Sequence, residues 1–427
     1  MSTGLKLLVI TLLVTGLSCK GQITEKNVTR ILTGLAADEM KGRETFSPEI
    51  EKAADLIAAE FNKIGLDYYE GLDSYKQSFS VFEYTVLSSV VKINDSQMDK
   101  EKYFIMAGRE EFSWENNVMV ETIGRNESFQ SRIAELLEKK KDVVVLVDDT
   151  HQSLFKEFKA HFDRPQRTMK MPDNHGLVVI LGSEVAPSQV FVKVKLEVRE
   201  RALANVVGMI PGENKDEIVI FSAHYDHIGL RPPVAGDSIA NGANDDASGV
   251  AAVIELAGYF KAKGTPGRTL LFVAFTAEEM GGYGSRYFSQ RIIPDEIVAM
   301  FNIEMIGKPA VEGPNTAWIT GFEKSNFGKL LQKSTRGSAY KFYPDPYPAQ
   351  NLFYRSDNAT LARLGVPAHT ISTTPIDVDR DYHQVTDEIE TLNMEHITNT
   401  IKAIAKGAEG IVSGKVTPTR VDKASIH

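Results

Sequence analysis

The stretch IVIFSAHYDHIG, residues 218–229, decides the reading of this chain. Its first half is an unbroken apolar, β-branched run, the pattern of a strand buried on both faces. It then ends in His224, Asp226 and His227. A buried strand that delivers imidazoles and a carboxylate at its end suits an open α/β sheet, where ligands bind beyond the carboxyl ends of the strands. One His-x-Asp decides little, so later segments must supply partners.

They do. NGANDDASG (241–249) sets Asn244, Asp245 and Asp246 just before a helix, and LLFVAFTAEEMGG (270–282) ends a second apolar strand in Glu278 and Glu279. AMFNIEMIG (299–307) carries Glu304 near a third strand end, and RDYHQVTDE (380–388) adds His383 and Asp387. Paired carboxylates at the end of an apolar strand are costly without a cation. Imidazole and carboxylate donors without thiolates suit Zn²⁺. Taken singly, His227 reads as a packing or hydrogen-bonding residue, Asp246 as a helix cap, Asp387 as an outer partner or a solvated acid, and Glu255 as surface.

Strand-helix alternation begins near residue 203. NVVGMI, EIVIFSAH, TLLFVAFTA, IVAMFNIEM, TAWITG and PAHTIS read as strands, with helices at 247–263, 283–291, 325–336 and 394–411. This predicts an α/β fold, a mostly parallel twisted mixed sheet flanked by helices. SPEIEKAADLIAAEFNKIG (47–65) reads as a helix capped by Ser47, with Pro48 in its first turn and Gly65 at its end. Residues 86–200 mix short strands such as DVVVLVDD and LVVILG with charged loops and a helical SFQSRIAELLEKKK, and read as an inserted β-rich module. The catalytic domain is thus discontinuous, 20–85 plus 201–414, and 415–427 is expected to be a disordered tail.

Composition is that of a globular protein, 42% apolar and 25% charged, with a net charge of −9 that argues against nucleic acid as partner. LLVITLLVTGL (7–17) is too short to span a bilayer and suits the core of a signal peptide over residues 1–19. Cys19, the single cysteine, excludes an internal disulfide. The segment resembles a bacterial lipoprotein signal, which implies an exported protein held to a membrane by a lipid on Cys19.

In order and spacing, the motif series at 224–226, 241–249, 270–282, 299–307 and 380–388 resembles peptidase family M28, the co-catalytic zinc peptidases. LAADEMKGRETFSPEIEKAADLIAAEFNKIGL (35–66) resembles the family's opening. The resemblance covers 27–85 and 203–410, and the 86–200 insert is similar to the protease-associated module of some relatives.

It implies the zinc aminopeptidase fold, two Zn²⁺ per chain and peptide substrates. His224 and Glu279 would then ligate one zinc, Glu304 and His383 the other, and Asp245 would bridge them. Asp226 would orient the His224 imidazole, and Glu278 would be the general base. Tyr354 and Tyr382 are candidate oxyanion donors. Glu304 stands where many members have Asp, and Asn358 stands where Ser-Asp is commonly followed by His. The implied activity is an exopeptidase, most simply an aminopeptidase. The alternatives are carboxypeptidase action, a single-zinc glutaminyl cyclase and a metal-free binding protein on the same fold.

Overall fold

The apolar runs become adjacent strands in the computed structural model, which describes residues 21–171, 175–182 and 187–426. The N-terminal apolar stretch and Cys19 lie outside the described residues. Two units emerge, residues 21–77 with 205–426, and residues 78–204.

In the first unit the strand order is Lys341–Pro344, Thr316–Ile319, Ala368–Ser372, Ile297–Ile303, Asn214–His224, Arg268–Phe275, then the end of Val190–Ile210. Asn214–His224 lies parallel to both its neighbours, and Ala368–Ser372 parallel to Ile297–Ile303. Antiparallel pairings flank this centre, at Val206 opposite Ala274 and at Ile319 opposite Ile371. Every residue of Arg268–Phe275 and Ile297–Ile303 is buried, as expected of central parallel strands covered on both faces.

The helices form where the sequence signals them. The Ser47 hydroxyl accepts the Ile50 N–H at 3.3 Å, Pro48 opens the helix Pro48–Ile64, and Gly65 closes it at φ +81°. Helix Ser248–Ala262 packs on the His224 strand and against helix Glu25–Leu35. It is apolar on nearly every side because both of those elements cover it.

Two expectations need correction. Glu255, read as a surface residue, is only 9% exposed, because the N-terminal segment folds over it and Thr24 donates its N–H to the carboxylate at 3.4 Å. The tail read as disordered packs instead. Val421 is buried and donates its N–H to the Gly365 carbonyl, and the buried Arg268 guanidinium donates to the Ile411 and Val416 carbonyls and to the Thr417 hydroxyl.

The second unit holds a four-stranded sheet in the order Tyr103–Ala107, Gly176–Leu181, Val143–Val147, Met119–Ile123. Helices Phe129–Glu138 and Gln152–Phe162 bring Phe129, Ile133, Leu136 and Phe155 into its core. Strand content dominates, yet the unit has its own α/β layering, because Phe155 and Phe158 give Gln152–Phe162 an apolar stripe that the short sequence window hides.

Candidate metal centre

The three central strands end level with one another. His224 is in register with Phe275, and Ser222 with Asn302, so the residues that follow each strand leave the sheet at one edge. There the chain adopts backbone conformations that L-residues rarely take. Ala277 before Glu278, Met305 after Glu304, and His383 itself have φ of 55°, 54° and 58°. Such residues cluster where a fold aims side chains into a site.

The loop carrying Asp245 is held from beneath by Arg43. This fully buried side chain donates to the carbonyls of Tyr225 (2.8 Å), Leu35 (2.7 Å), Asn241 (2.6 Å) and Gly242 (3.0 Å). Only glycine fits on either side of it. A Cβ on Gly42, at φ +67°, would meet the Ala240 carbonyl oxygen at 2.3 Å, and one on Gly242, at φ +58°, the Asp245 oxygen at 2.3 Å. Asp387 then fixes the loop from above, accepting the N–H groups of Asn244 (2.8 Å) and Asp245 (3.0 Å). Of its two readings, the structure therefore gives the buried outer partner. Asp246 accepts from the N–H groups of Gly249 (3.0 Å), Met305 (3.0 Å) and His224 (3.3 Å), so it ties the helix start to two strand ends.

Asp245 lies between two sets of donors. One oxygen is 3.2 Å from His224 Nε2 and the other 3.3 Å from His383 Nε2. His383 Nε2 is also 3.1 Å from Glu279 Oε2, and His227 Nδ1 is 3.0 Å from Glu279 Oε1. The geometry therefore groups Glu279 with His383, not with His224 as the motif order implied. The reason is that the returning 380–388 loop sets His383 directly against the Glu279 carboxylate, a long-range placement that motif order does not encode. His227, read as a packing residue, joins this second set. Its ligand atom and those of Asp245 and Glu279 all lie within 4.8 Å of one another.

Asp226 does not grip the imidazole with its carboxylate. His224 Nδ1 is 3.1 Å from the Asp226 backbone carbonyl but 3.8 Å from Oδ1. The carboxylate instead accepts the N–H groups of Glu278 (3.0 Å) and Glu279 (3.2 Å) and the Thr45 hydroxyl (3.0 Å). It thus sets the direction in which both glutamates leave the strand. Tyr382 stacks on His383 with ring centres 4.0 Å apart, while Tyr354 lines a neighbouring cleft. Asn358 is structural, donating to the Phe353 and Ala368 carbonyls and accepting from the Thr370 hydroxyl.

The electrostatics describe a site short of positive charge. Burial opposes ionisation of Asp245, but the imidazoles of His224, His383 and His227 overcome it and hold the carboxyl well below its ordinary range. Glu279 is likewise lowered against burial and the Asp245 charge by His227 and His383. Burial, reinforced by Glu304, Asp357 and Glu279, lifts Glu278 well above the usual carboxylate range. Glu304 is raised by burial, opposed chiefly by His224. Asp357 is pushed up to about 7 for the same reason.

Among the described residues, the buried Glu304 Oε2 has no hydrogen-bond partner, and His224 Nε2 faces the Asp245 carboxylate at 3.2 Å without hydrogen-bond alignment. Buried polar atoms rarely go unpaired. Such orphans among clustered carboxylates and imidazoles fit a divalent cation, and the oxygen and nitrogen donor set fits Zn²⁺. The site residues are therefore compatible with the ions the motifs implied.

Residues 205–408 match the model of peptidase family M28. It is 30% identical over 212 residues to probable leucine aminopeptidase 1 of Trichophyton verrucosum, covering 47% of this chain and 56% of that protein. It is 36% identical over 108 residues to a probable zinc metalloprotease of Pyricularia oryzae, covering 25% and 21%. The chain spans about half the length of the leucine aminopeptidases it matches.

The fold is similar to that of an aminopeptidase from Aneurinibacillus sp. strain AM-1, with a TM-score of 0.53 and 22% identity over 95% of this chain and 96% of that one. It is also similar to a zinc aminopeptidase from Bacillus subtilis, with a TM-score of 0.55 and 15% identity over 93% and 97%.

Proposed function

We propose that this protein is a zinc-dependent exopeptidase, an aminopeptidase that releases N-terminal residues from peptides. The observation that carries this reading is the placement of Asp245 between His224 and His383, with Glu278 at the edge of the same site. Two zinc ions are proposed, one at His224, Asp245 and Glu304, the other at His383, Glu279 and Asp245. When bound, such a pair activates water and polarises a scissile carbonyl.

The chain's own residues do the rest. Glu278, buried beside the ligand set and held in direction by Asp226, accepts the proton of the attacking water and returns it to the leaving amine. Asp226 keeps the Glu278 and Glu279 backbones aligned for their separate tasks. A cavity of about 50 Å³ beside Glu304, walled by Met305, Trp318, Leu352 and Ile376, takes the side chain of the N-terminal residue. At ~10–15 Å³ per water-sized site, that space holds about four heavy atoms, the size of an aliphatic side chain.

The test is metal content together with cleavage. Zinc-loaded protein, given matched peptides with free and acetylated N-termini, should release residues from the free forms only, as read by mass spectrometry. Two zincs per chain agree with the reading. A single zinc with release of cyclised glutamine favours the cyclase, and no metal favours a binding protein.

Export and lipidation at Cys19 belong to the same proposal and rest on the sequence motif. Among the described residues no helix is long and apolar enough to cross a membrane. Replacing Cys19 with Ser should move the protein from the membrane to the soluble fraction, and unchanged partitioning refutes the anchor.

A further inference from the structure

A cavity of about 750 Å³ opens on the Glu278 side of the site, between helices Tyr283–Ser289 and Asn358–Ala362. Its walls carry Arg286, Arg355 and Arg363, and Glu278 is the one carboxylate among the described residues that line it. Among the described residues none of the three guanidiniums forms an ion pair. Arg286 lies over the Tyr283 ring at 6.0 Å, Arg363 over the Tyr354 ring at 5.9 Å, and Arg355 donates to Gln350 Oε1 at 3.3 Å.

This is unusual in a chain of net charge −9, whose Arg30 and Arg268 pair with Glu60 and Glu217. Guanidiniums left without acids around a cleft form a recognition surface for a planar anion.

The position of the cleft says which part of a substrate meets it. Glu278, which returns a proton to the leaving amine, stands at its edge, while the small apolar cavity lies on the Glu304 side. Arg355 and Ser356 border both spaces. A peptide that places its first side chain in the small cavity therefore runs its remaining residues past Glu278 into the arginine cleft. Extended residues advance about 3.5 Å each, so one or two beyond the scissile bond bring a carboxylate among the guanidiniums.

We infer that the arginine cleft binds a carboxylate on the leaving portion of the substrate. The enzyme accordingly favours short peptides with a free C-terminus, or peptides with an acidic residue just after the cut. This rests on the peptidase reading and adds to it a substrate class. The two carboxylate sources share one chemistry, and the test separates them.

Zinc-loaded Glu278→Gln protein is titrated calorimetrically with Leu-Ala-Ala, with its C-terminal amide, and with Leu-Glu-Ala amide. At least one carboxylate-bearing peptide should bind roughly tenfold more tightly than Leu-Ala-Ala amide, the scale of a hydrogen-bonded charge. The peptide that gains identifies the source. The gain should vanish when Arg286→Gln, Arg355→Gln and Arg363→Gln are combined. It should also shrink at high salt with the arginines intact, which guards against a variant that folds poorly.

Equal binding of all three peptides, or a gain that survives the triple substitution, overturns the assignment. If the native enzyme cleaves these peptides while binding shows no carboxylate preference, the cleft assignment falls and the peptidase reading stands. If the preference is present and nothing is cleaved, the peptidase reading falls alone.

Discussion

Asp387 accepts the backbone N–H of Asp245 at 3.0 Å, so a carboxylate near the end of the chain fixes the aim of the one that faces both His224 and His383. Outer partners of this kind typically contribute 10–100-fold to metal affinity. Asp387→Ala should therefore lower zinc affinity by roughly that factor while leaving the far-ultraviolet circular dichroism unchanged. Competition titration against a zinc chelator measures it, and wild-type affinity in the variant contradicts the role.

Glu278→Gln should retain zinc and lose activity by about 10²–10⁴-fold, the usual contribution of a positioned base. The amide preserves shape and the Asp226 contact, since that bond uses the Glu278 backbone N–H. Metal content and kcat on the same preparation decide it.

Arg43→Met should cost about 3 kcal/mol or more of stability, because it leaves the Tyr225, Leu35, Asn241 and Gly242 carbonyls without their buried donor. Urea unfolding of the metal-free protein would measure this. The zinc affinity of whatever variant protein folds should fall as well, since the Asp245 loop loses its support.

Acid should destabilise the fold through His369 and His396, which burial holds down at about 4. Both are neutral in the folded state and charge more readily when unfolded. Stability is therefore full above the unfolded value near 6.5 and is lost as pH falls toward 4, by up to about 3 kcal/mol for each group. His396→Leu removes a ring whose nitrogens have no hydrogen-bond partner among the described residues. It should flatten the dependence of the urea midpoint between pH 4 and 6.5, and an unchanged slope counts against it.

Glu255 gives the opposite sign. Burial pushes its carboxyl up to about 7, so the folded state holds a proton that the unfolded chain releases near 4.5. Stability falls as pH rises through that window. Glu255→Gln should raise the melting temperature more at pH 8 than at pH 5, by an increment equivalent to at most about 3 kcal/mol.

The strand ends were legible because their physics is local. Apolar runs that stop in His224, Glu278 and Glu304 announce both a central sheet and the edge where it works. The grouping of donors was not legible. Whether Glu279 meets His224 or His383 depends on how the 380–388 loop returns, and a motif order carries no such information.

His227 was missed for a related reason. Its place is set by the Gly242 turn and by Arg43, from segments distant in the chain. The motif series points the carboxylate of Asp226 at the ring beside it, whereas its partners are the Thr45 hydroxyl and two backbone N–H groups some fifty residues on. The strand Lys341–Pro344 gave no signal, being four residues long with a proline at its end.

The packing of residues 416–421 has a practical consequence for anyone engineering this protein. Cutting the chain after Gly414, as its polar composition invites, would strip two of the acceptors around the sealed Arg268 guanidinium and uncover the start of a central strand. A shortened version should express poorly or melt early. Affinity tags or surface-immobilising handles are better added beyond the last residue than substituted for this segment.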